Sequence, residues 1–349
     1  MNALEILKNG TVIPANPLVL DENREFDEAG QRLLTKYYLA AGCGGLAVGV
    51  HTTQFEIRLP QYNLLEKVLA CAIDEIKKFE QSNGKTIVKV AGVCGEAAQA
   101  VTEATLAKNL GYDVVLLSPG GLAHLSEAEL LERTRKVAEI IPVIGFYLQA
   151  AVGGRPLSFD YWRRLAGIDN VAAIKCASFN RYQTLDVVRA VALSSRADEI
   201  ALYTGNDDNI VIDLLTEYKF IVNGKTYEKR FVGGLLGHWS VWANTIVKLF
   251  ERIKNETACD TISKDMLILA NEVTDCNAVF FDAENNFKGC IAGLHEVLRR
   301  QGLMKNIYCL NPVETLSDGQ KEEIDRVYNM YPHLNDDKFV KEFLQNECV

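Results

Sequence analysis

A (β/α)8 (TIM) barrel of the α/β class with a C-terminal helical extension is the architecture this chain predicts, on three observations. Eight short apolar runs are spaced along the first two thirds of its 349 residues. Amphipathic stretches of helical length follow most of those runs. Beyond about Asn255 the strand signals cease while the helical patterns continue. The expected organisation is therefore a barrel over residues 1–255 carrying the active site, and a helical domain over 256–349.

The expected strands are Thr11–Pro14, Gly45–Val50, Thr86–Gly92, Asp113–Leu117, Pro142–Tyr147, Val171–Lys175, Ile200–Thr204 and Phe231–Leu235. Between them the helical patterns are Asp27–Ala41, Leu64–Phe79, Glu96–Leu110, Ser126–Ile140, Phe159–Leu165, Tyr182–Leu193 and Trp239–Lys254. A doubly wound sheet usually has fewer strands, which makes it the second choice. Residues Tyr218–Arg230 interrupt the alternation. Asn223-Gly224 between two β-prone segments reads as a two-residue turn, so a small hairpin is expected ahead of the eighth strand. In the C-terminal region, Ser263–Glu272, Lys288–Gln301, Asp318–Met330 and Asp336–Asn346 read as helices. Ser317, with Gln320 three residues on, reads as an N-cap.

Composition narrows the function class. The chain is 48% hydrophobic and 24% charged, ordinary for a soluble globular protein. A net charge of -9 argues against nucleic acid as the main partner. No apolar run approaches the roughly 18–20 residues that a membrane helix needs. The N-terminus has no basic stretch followed by an apolar core, so a cytoplasmic location is expected. Nine scattered cysteines without a Cys-x-x-Cys pair read as reduced thiols. Five histidines without metal-ligand spacing give no metal site.

In such a barrel, chemistry sits at the C-terminal ends of the strands. Lys175 closes the apolar run Asn170-Val171-Ala172-Ala173-Ile174-Lys175. Burial disfavours an ammonium, and a lysine with a lowered pKa is a nucleophile that forms a Schiff base with a carbonyl. The bland alternative is a strand-end lysine snorkelling to solvent. Alternation places Val171, Ala173 and Lys175 on one face, and Val143, Gly145 and Tyr147 on the same face of the preceding strand. Tyr147 and Lys175 are then expected to meet at one rim, with the tyrosine shuttling protons. Its alternative is a half-buried tyrosine with a polar tip. After the second strand come His51-Thr52-Thr53-Gln54, whose hydroxyls and backbone N–H groups suit a carboxylate. After the seventh come Thr204-Gly205-Asn206-Asp207-Asp208, where Gly205 admits close approach of a ligand and the acidic pair are candidate substrate contacts.

The order Thr-Thr, Tyr, Ile-Lys and Gly-Asn along these strand ends resembles the dihydrodipicolinate synthase / N-acetylneuraminate lyase family of class I aldolases, over nearly the whole chain. The resemblance implies that Lys175 forms the imine with pyruvate or another 2-oxo acid. It implies Tyr147 as general acid/base, Thr52 and Thr53 as carboxylate ligands with Thr52 relaying protons, and Gly205 and Asn206 beside the substrate. Arg155 is a candidate for an anionic second substrate. No cofactor is implied beyond the covalent imine. The implied partners are a 2-oxo acid and a second carbonyl substrate, and the assembly a homo-oligomer, dimer or tetramer. Two departures stand out. The family's Gly-Thr-Thr-Gly-Glu is here His51-Thr52-Thr53-Gln54-Phe55, and its paired tyrosines are absent from Ser118-Pro119-Gly120-Gly121-Leu122. Two alternatives stay open: a dehydratase of a sugar acid using the same imine, and a barrel that binds a 2-oxo acid without turnover. A metal-dependent barrel enzyme is disfavoured by the scattered histidines.

Overall fold

The computed structural model describes residues 1–347. In chain order the elements are α1 (Ala3–Asn9), β1 (Val12–Pro14), α2 (Glu28–Ala41), β2 (Gly45–Val48), α3 (Leu65–Asn83), β3 (Val88–Val93), α4 (Ala97–Leu110), β4 (Val114–Leu117), α5 (Glu127–Ala138) and β5 (Val143–Leu148). Then follow α6 (Phe159–Ala166), β6 (Val171–Ala177), α7 (Arg181–Ala192), β7 (Ala201–Thr204), α8 (Ile210–Leu215), β8 (Tyr218–Val222), β9 (Lys225–Lys229), β10 (Phe231–Leu236), α9 (Ala243–Thr257), α10 (Lys264–Phe280), α11 (Cys290–Arg300), α12 (Gln320–Met330) and α13 (Asp337–Glu347). All eight expected strands form, as β1–β7 and β10. The expected hairpin is β8–β9, and its turn residues Asn223 and Gly224 both take positive φ, as a right-handed two-residue hairpin requires.

Contacts divide the chain into two compact units. The first comprises residues 1–11 and 88–235. Its strands run parallel in the spatial order β10-β7-β6-β5-β4-β3. All six residues of β3 and of β5 are buried, as parallel strands covered on both faces demand. Helix α6 shows how the covering is made. Ser158 caps it by accepting the Tyr161 N–H at 3.0 Å, and Tyr161, Trp162, Leu165 and Ala166 form its buried stripe.

Two helices of this unit escape the sequence reading. Helix α1 is a seven-residue segment held by a capping box between Asn2 and Glu5. It anchors to the sheet where the Tyr203 hydroxyl donates to the Leu7 carbonyl at 2.8 Å. Helix α8 is only six residues long, too short for helical periodicity to show.

The second unit comprises residues 12–87 and those from Leu236 on. Here β1 and β2 are joined in parallel through Ala15 and Ala47, and α2 packs on α3. The C-terminal helices α10–α13 form as expected. Asp336, 5% exposed, ties them to the rest of the unit. Its carboxylate accepts from the Tyr37 hydroxyl (2.7 Å), the Gln301 amide (2.7 Å) and the Asn244 N–H (3.0 Å). Ser317 is not the N-cap of α12; that position is Gly319 at φ +82°. Ser317 instead donates its hydroxyl to Asp282 (2.6 Å) and its N–H to the Gln320 side chain (3.1 Å). Among the described residues no helix is long and apolar enough to cross a membrane.

Candidate active site

Lys175 is the fifth residue of β6 and is 8% exposed, so it does not snorkel to solvent. Among the described residues its ammonium has no hydrogen bond and no ion pair within 4.0 Å. Its charged form meets a π face instead, with Nζ 4.5 Å from the centroid of the Phe146 ring. Burial pushes its pKa down to about 8, against the opposing pull of the Asp207 carboxylate. An appreciable share of free amine near neutrality follows directly.

The strand pairing corrects one expectation. Counting straight along β5 and β6 from Val143↔Val171 would set Tyr147 opposite Lys175. Between the first and second pairs, however, the register slips. Ile144 pairs with Ala173, so Ala172 is an extra residue in β6, and Phe146 pairs with Lys175. A one-residue slip reverses the face of every later residue relative to that count. Phe146, not Tyr147, therefore shares the face of Lys175.

Tyr147 pairs with Cys176 on the helix side of the sheet. Its ring stacks on Trp162 of α6, centroids 4.9 Å apart, and its hydroxyl accepts the Leu157 N–H at 3.3 Å. Burial raises its pKa. Gly145 is on the same outer face, since a Cβ there would meet Leu165 of α6 at 2.6 Å. The structure thus does not bring Tyr147 to Lys175.

Gly205 is brought to Lys175. It follows β7, and a Cβ on it would lie 2.4 Å from Lys175 Cε and 2.9 Å from Ala177 Cβ. The position needs glycine because the lysine stem occupies the space.

Asn206 turns the other way and is fully buried. Its carbonyl oxygen accepts the Phe179 N–H (3.0 Å), and its amide donates to Asp213 (2.9 Å) and Thr184 (3.3 Å). Phe179 sits at φ +52°, strained for a non-glycine residue and held there by that bond. Asp213 on α8 is wholly buried and also accepts from Thr204 (2.7 Å), Asn209 (3.0 Å) and the Arg181 guanidinium. This cluster clamps the ends of β6 and β7 from the helix side and so fixes Lys175 and Gly205. Its sequence signal is a lone carboxylate within the apolar run Ile210-Val211-Ile212-Asp213-Leu214-Leu215. Arg155 is also committed to the scaffold. It donates to the carbonyls of Ala123 (2.9 Å) and Leu125 (2.7 Å), joining the loop after β5 to the loop after β4.

In the second unit, Thr52 and Thr53 are buried in a short 3-10 turn after β2. The Thr52 hydroxyl donates to the Ala15 carbonyl (2.8 Å) and the Thr53 hydroxyl to the Asn16 carbonyl (2.7 Å), closing the end of β2 onto that of β1. The sequence reading missed two buried amides beside them. Asn16 Nδ2 and Gln54 Nε2 have no hydrogen-bond partner among the described residues. Among those residues no group of three or more His, Cys, Asp or Glu is placed to hold a metal.

Comparison with solved structures places the fold. Dihydrodipicolinate synthase from Oceanobacillus iheyensis superposes with a TM-score of 0.75 at 18% identity, covering 95% of this chain and 100% of that one. N-acetylneuraminate lyase from Fusobacterium nucleatum, solved complexed with pyruvate, superposes at 0.71 and 16% identity, covering 93% of this chain and 98% of that one. The fold is a (β/α)8 barrel with C-terminal helices. The dihydrodipicolinate synthetase family matches residues 8–217, and the chain belongs to that family. Membership supports a class I aldolase-like lyase. No curated protein matches the sequence.

Proposed function

We propose that the protein is a Schiff-base lyase or aldolase acting on a 2-oxo acid, with Lys175 as its nucleophile. One observation carries the reading. A lysine near the C-terminal end of a barrel strand is buried with no counter-ion in contact among the described residues and has its pKa depressed to about 8, beside a glycine that leaves its stem room. Such an amine attacks a ketone carbonyl and loses water to give an iminium, which serves as an electron sink for making or breaking the neighbouring carbon–carbon bond. Pyruvate is the simplest 2-oxo acid to try, and the Fusobacterium nucleatum lyase similar in fold to this chain was solved complexed with it. Elimination of water from a sugar acid would use the same iminium.

The Thr52 and Thr53 hydroxyl protons are committed to carbonyls, and the Thr53 and Gln54 N–H groups donate to the Val50 (3.0 Å) and His51 (2.9 Å) carbonyls, so the side-chain amides of Asn16 and Gln54 are the donors proposed for an anion in that unit. The roles of Tyr147, Asn206 and Arg155 in catalysis or binding have no support in their contacts.

A second reading, a barrel that binds 2-oxo acids without turnover, is favoured by one observation: the aromatic ring facing Lys175 belongs to Phe146 and carries no proton to move. The two readings share their first test. Incubation with pyruvate and a panel of 2-oxo acids, followed by borohydride, should leave a stable mass increment on Lys175 that is absent from Lys175→Ala. No increment with any of them in folded protein would overturn the imine reading. An increment without carbon–carbon bond chemistry or water loss would favour the binding reading.

A further inference from the structure

Once an imine stands on Lys175, converting it to an enamine requires a base for the proton on the adjacent carbon. The paired strands offer none on the lysine's face. Phe146 has no ionisable group. Tyr203, paired with Lys175 on the other side, donates its hydroxyl to Leu7, and burial raises its pKa further. On the far face, Tyr147 is packed against α6.

The loop after β7 supplies two carboxylates, and they differ. Asp208 is held in the field of Arg181 and Asp213, on the helix side. Asp207 is 5% exposed and lies two residues past Gly205, where an added Cβ would meet Lys175 Cε at 2.4 Å. The intervening Asn206 is pinned by three side-chain hydrogen bonds, and its carbonyl accepts the Asn209 N–H at 2.9 Å, so the loop has a fixed shape. The charge of Asp207 acts on Lys175, yet the lysine makes no ion pair within 4.0 Å among the described residues.

We propose that Asp207 is the base that deprotonates the carbon next to the Lys175 imine, taking the part that sequence expectation gave to Tyr147. The proposal rests on the imine reading above. In the step, the C3–H bond breaks and its proton passes to an Asp207 carboxylate oxygen. The C–H electron pair becomes the C2=C3 bond, and the C2=N π pair of the protonated imine (the iminium) settles on its positively charged nitrogen, giving a neutral enamine. Nothing is oxidised or reduced. Reversal of the step returns a solvent-derived proton to C3.

The test uses the full chain with pyruvate in D2O at pH 9, where most of the Lys175 amine is free. Two readouts are taken: borohydride trapping on Lys175, and deuterium entry at the pyruvate methyl by NMR against a protein-free control. Asp207→Asn should keep trapping at or above the wild-type level and lose at least 100-fold in deuterium entry. Asp207→Ser should do the same, and serves if the first variant fails to fold; trapping itself reports a folded site. Tyr147→Phe should match wild type in both. Exchange in either trapped Asp207 variant within threefold of wild type would overturn the proposal while leaving the imine reading intact, and so would its loss in Tyr147→Phe. Absence of an adduct in the wild type would overturn the imine reading and this proposal together.

Discussion

Two lysines of the first unit are buried almost equally, and they illustrate opposite solutions to the same electrostatic problem. Lys89 on β3 is 7% exposed, Lys175 on β6 is 8% exposed, and both interrupt apolar runs. Lys89 lies at the start of its strand and is ion-paired with Asp113 at 3.1 Å, whose carboxylate also accepts the Lys89 N–H at 2.9 Å. Lys175 lies near the end of its strand, over a phenyl ring, with Asp207 acting from beyond ion-pair distance. Burial alone does not make a nucleophile. The cost of burying the ammonium must be left uncompensated, and at the end of the strand where substrates arrive.

The contrast predicts opposite signs. Lys175→Met should abolish imine trapping outright. The same change should stabilise the fold. The pKa of Lys175 falls from 10.5 to about 8, so the folded state disfavours its ammonium by about 3 kcal/mol relative to the unfolded chain. Because the folded pKa is depressed, that cost is fully present below pH 8, fades as pH rises, and is gone above 10.5. Urea unfolding at pH 7 should therefore show the variant more stable by up to about 3 kcal/mol, with the gain vanishing near pH 10.5. Lys89→Met should instead lose about 1–3 kcal/mol in the same experiment, because it strands the Asp113 carboxylate, and should keep imine trapping. Equal effects of the two changes would dissolve the contrast.

Smaller changes sharpen it. Gly205→Ala sets a methyl 2.4 Å from Lys175 Cε and should slow trapping by about 10- to 100-fold through displacement of the amine. Urea unfolding of this variant should also show a loss of about 1–3 kcal/mol, since the lysine stem can yield but the Ala177 Cβ at 2.9 Å, fixed to β6, cannot. Tyr147→Phe removes only the acceptor of the Leu157 N–H. It should cost about 0.5–1.5 kcal/mol of stability and leave trapping and exchange rates unaltered. A hundredfold fall in either rate would restore Tyr147 to the active site.

Much of this was readable from sequence, and what escaped has a physical reason. The alternation of strand and helix, the Asn223-Gly224 hairpin and the C-terminal helices follow from local patterning and hold. Lys175 stood out because a charge closing an apolar run needs an explanation. Lys89 also puts a charge in an apolar run, but at the start of its strand, and its pairing with Asp113 could not be read from sequence. The face of Tyr147 could not be read, because the bulge at Ala172 carries no sequence mark; Ala172 and Ala173 are identical residues with different roles in the ladder. Asn206 and Arg155 were legible as polar residues at strand ends, but whether their bonds run to ligand or scaffold depends on distant partners, Asp213 on α8 and the carbonyls after β4. Asp207 and Asp208 are adjacent and alike in sequence, and only in the folded loop does the charge of one act on Lys175 while the other lies in the field of Arg181.

The most direct test follows borohydride trapping of pyruvate across pH 6 to 11, with peptide mapping of the adduct. The account predicts a single adduct on the peptide carrying Lys175 and none on that carrying Lys89. The initial rate should climb about tenfold per pH unit at low pH and level off above about 8, where the amine is free. An adduct spread over exposed lysines, with a rate still climbing past pH 10, would contradict it.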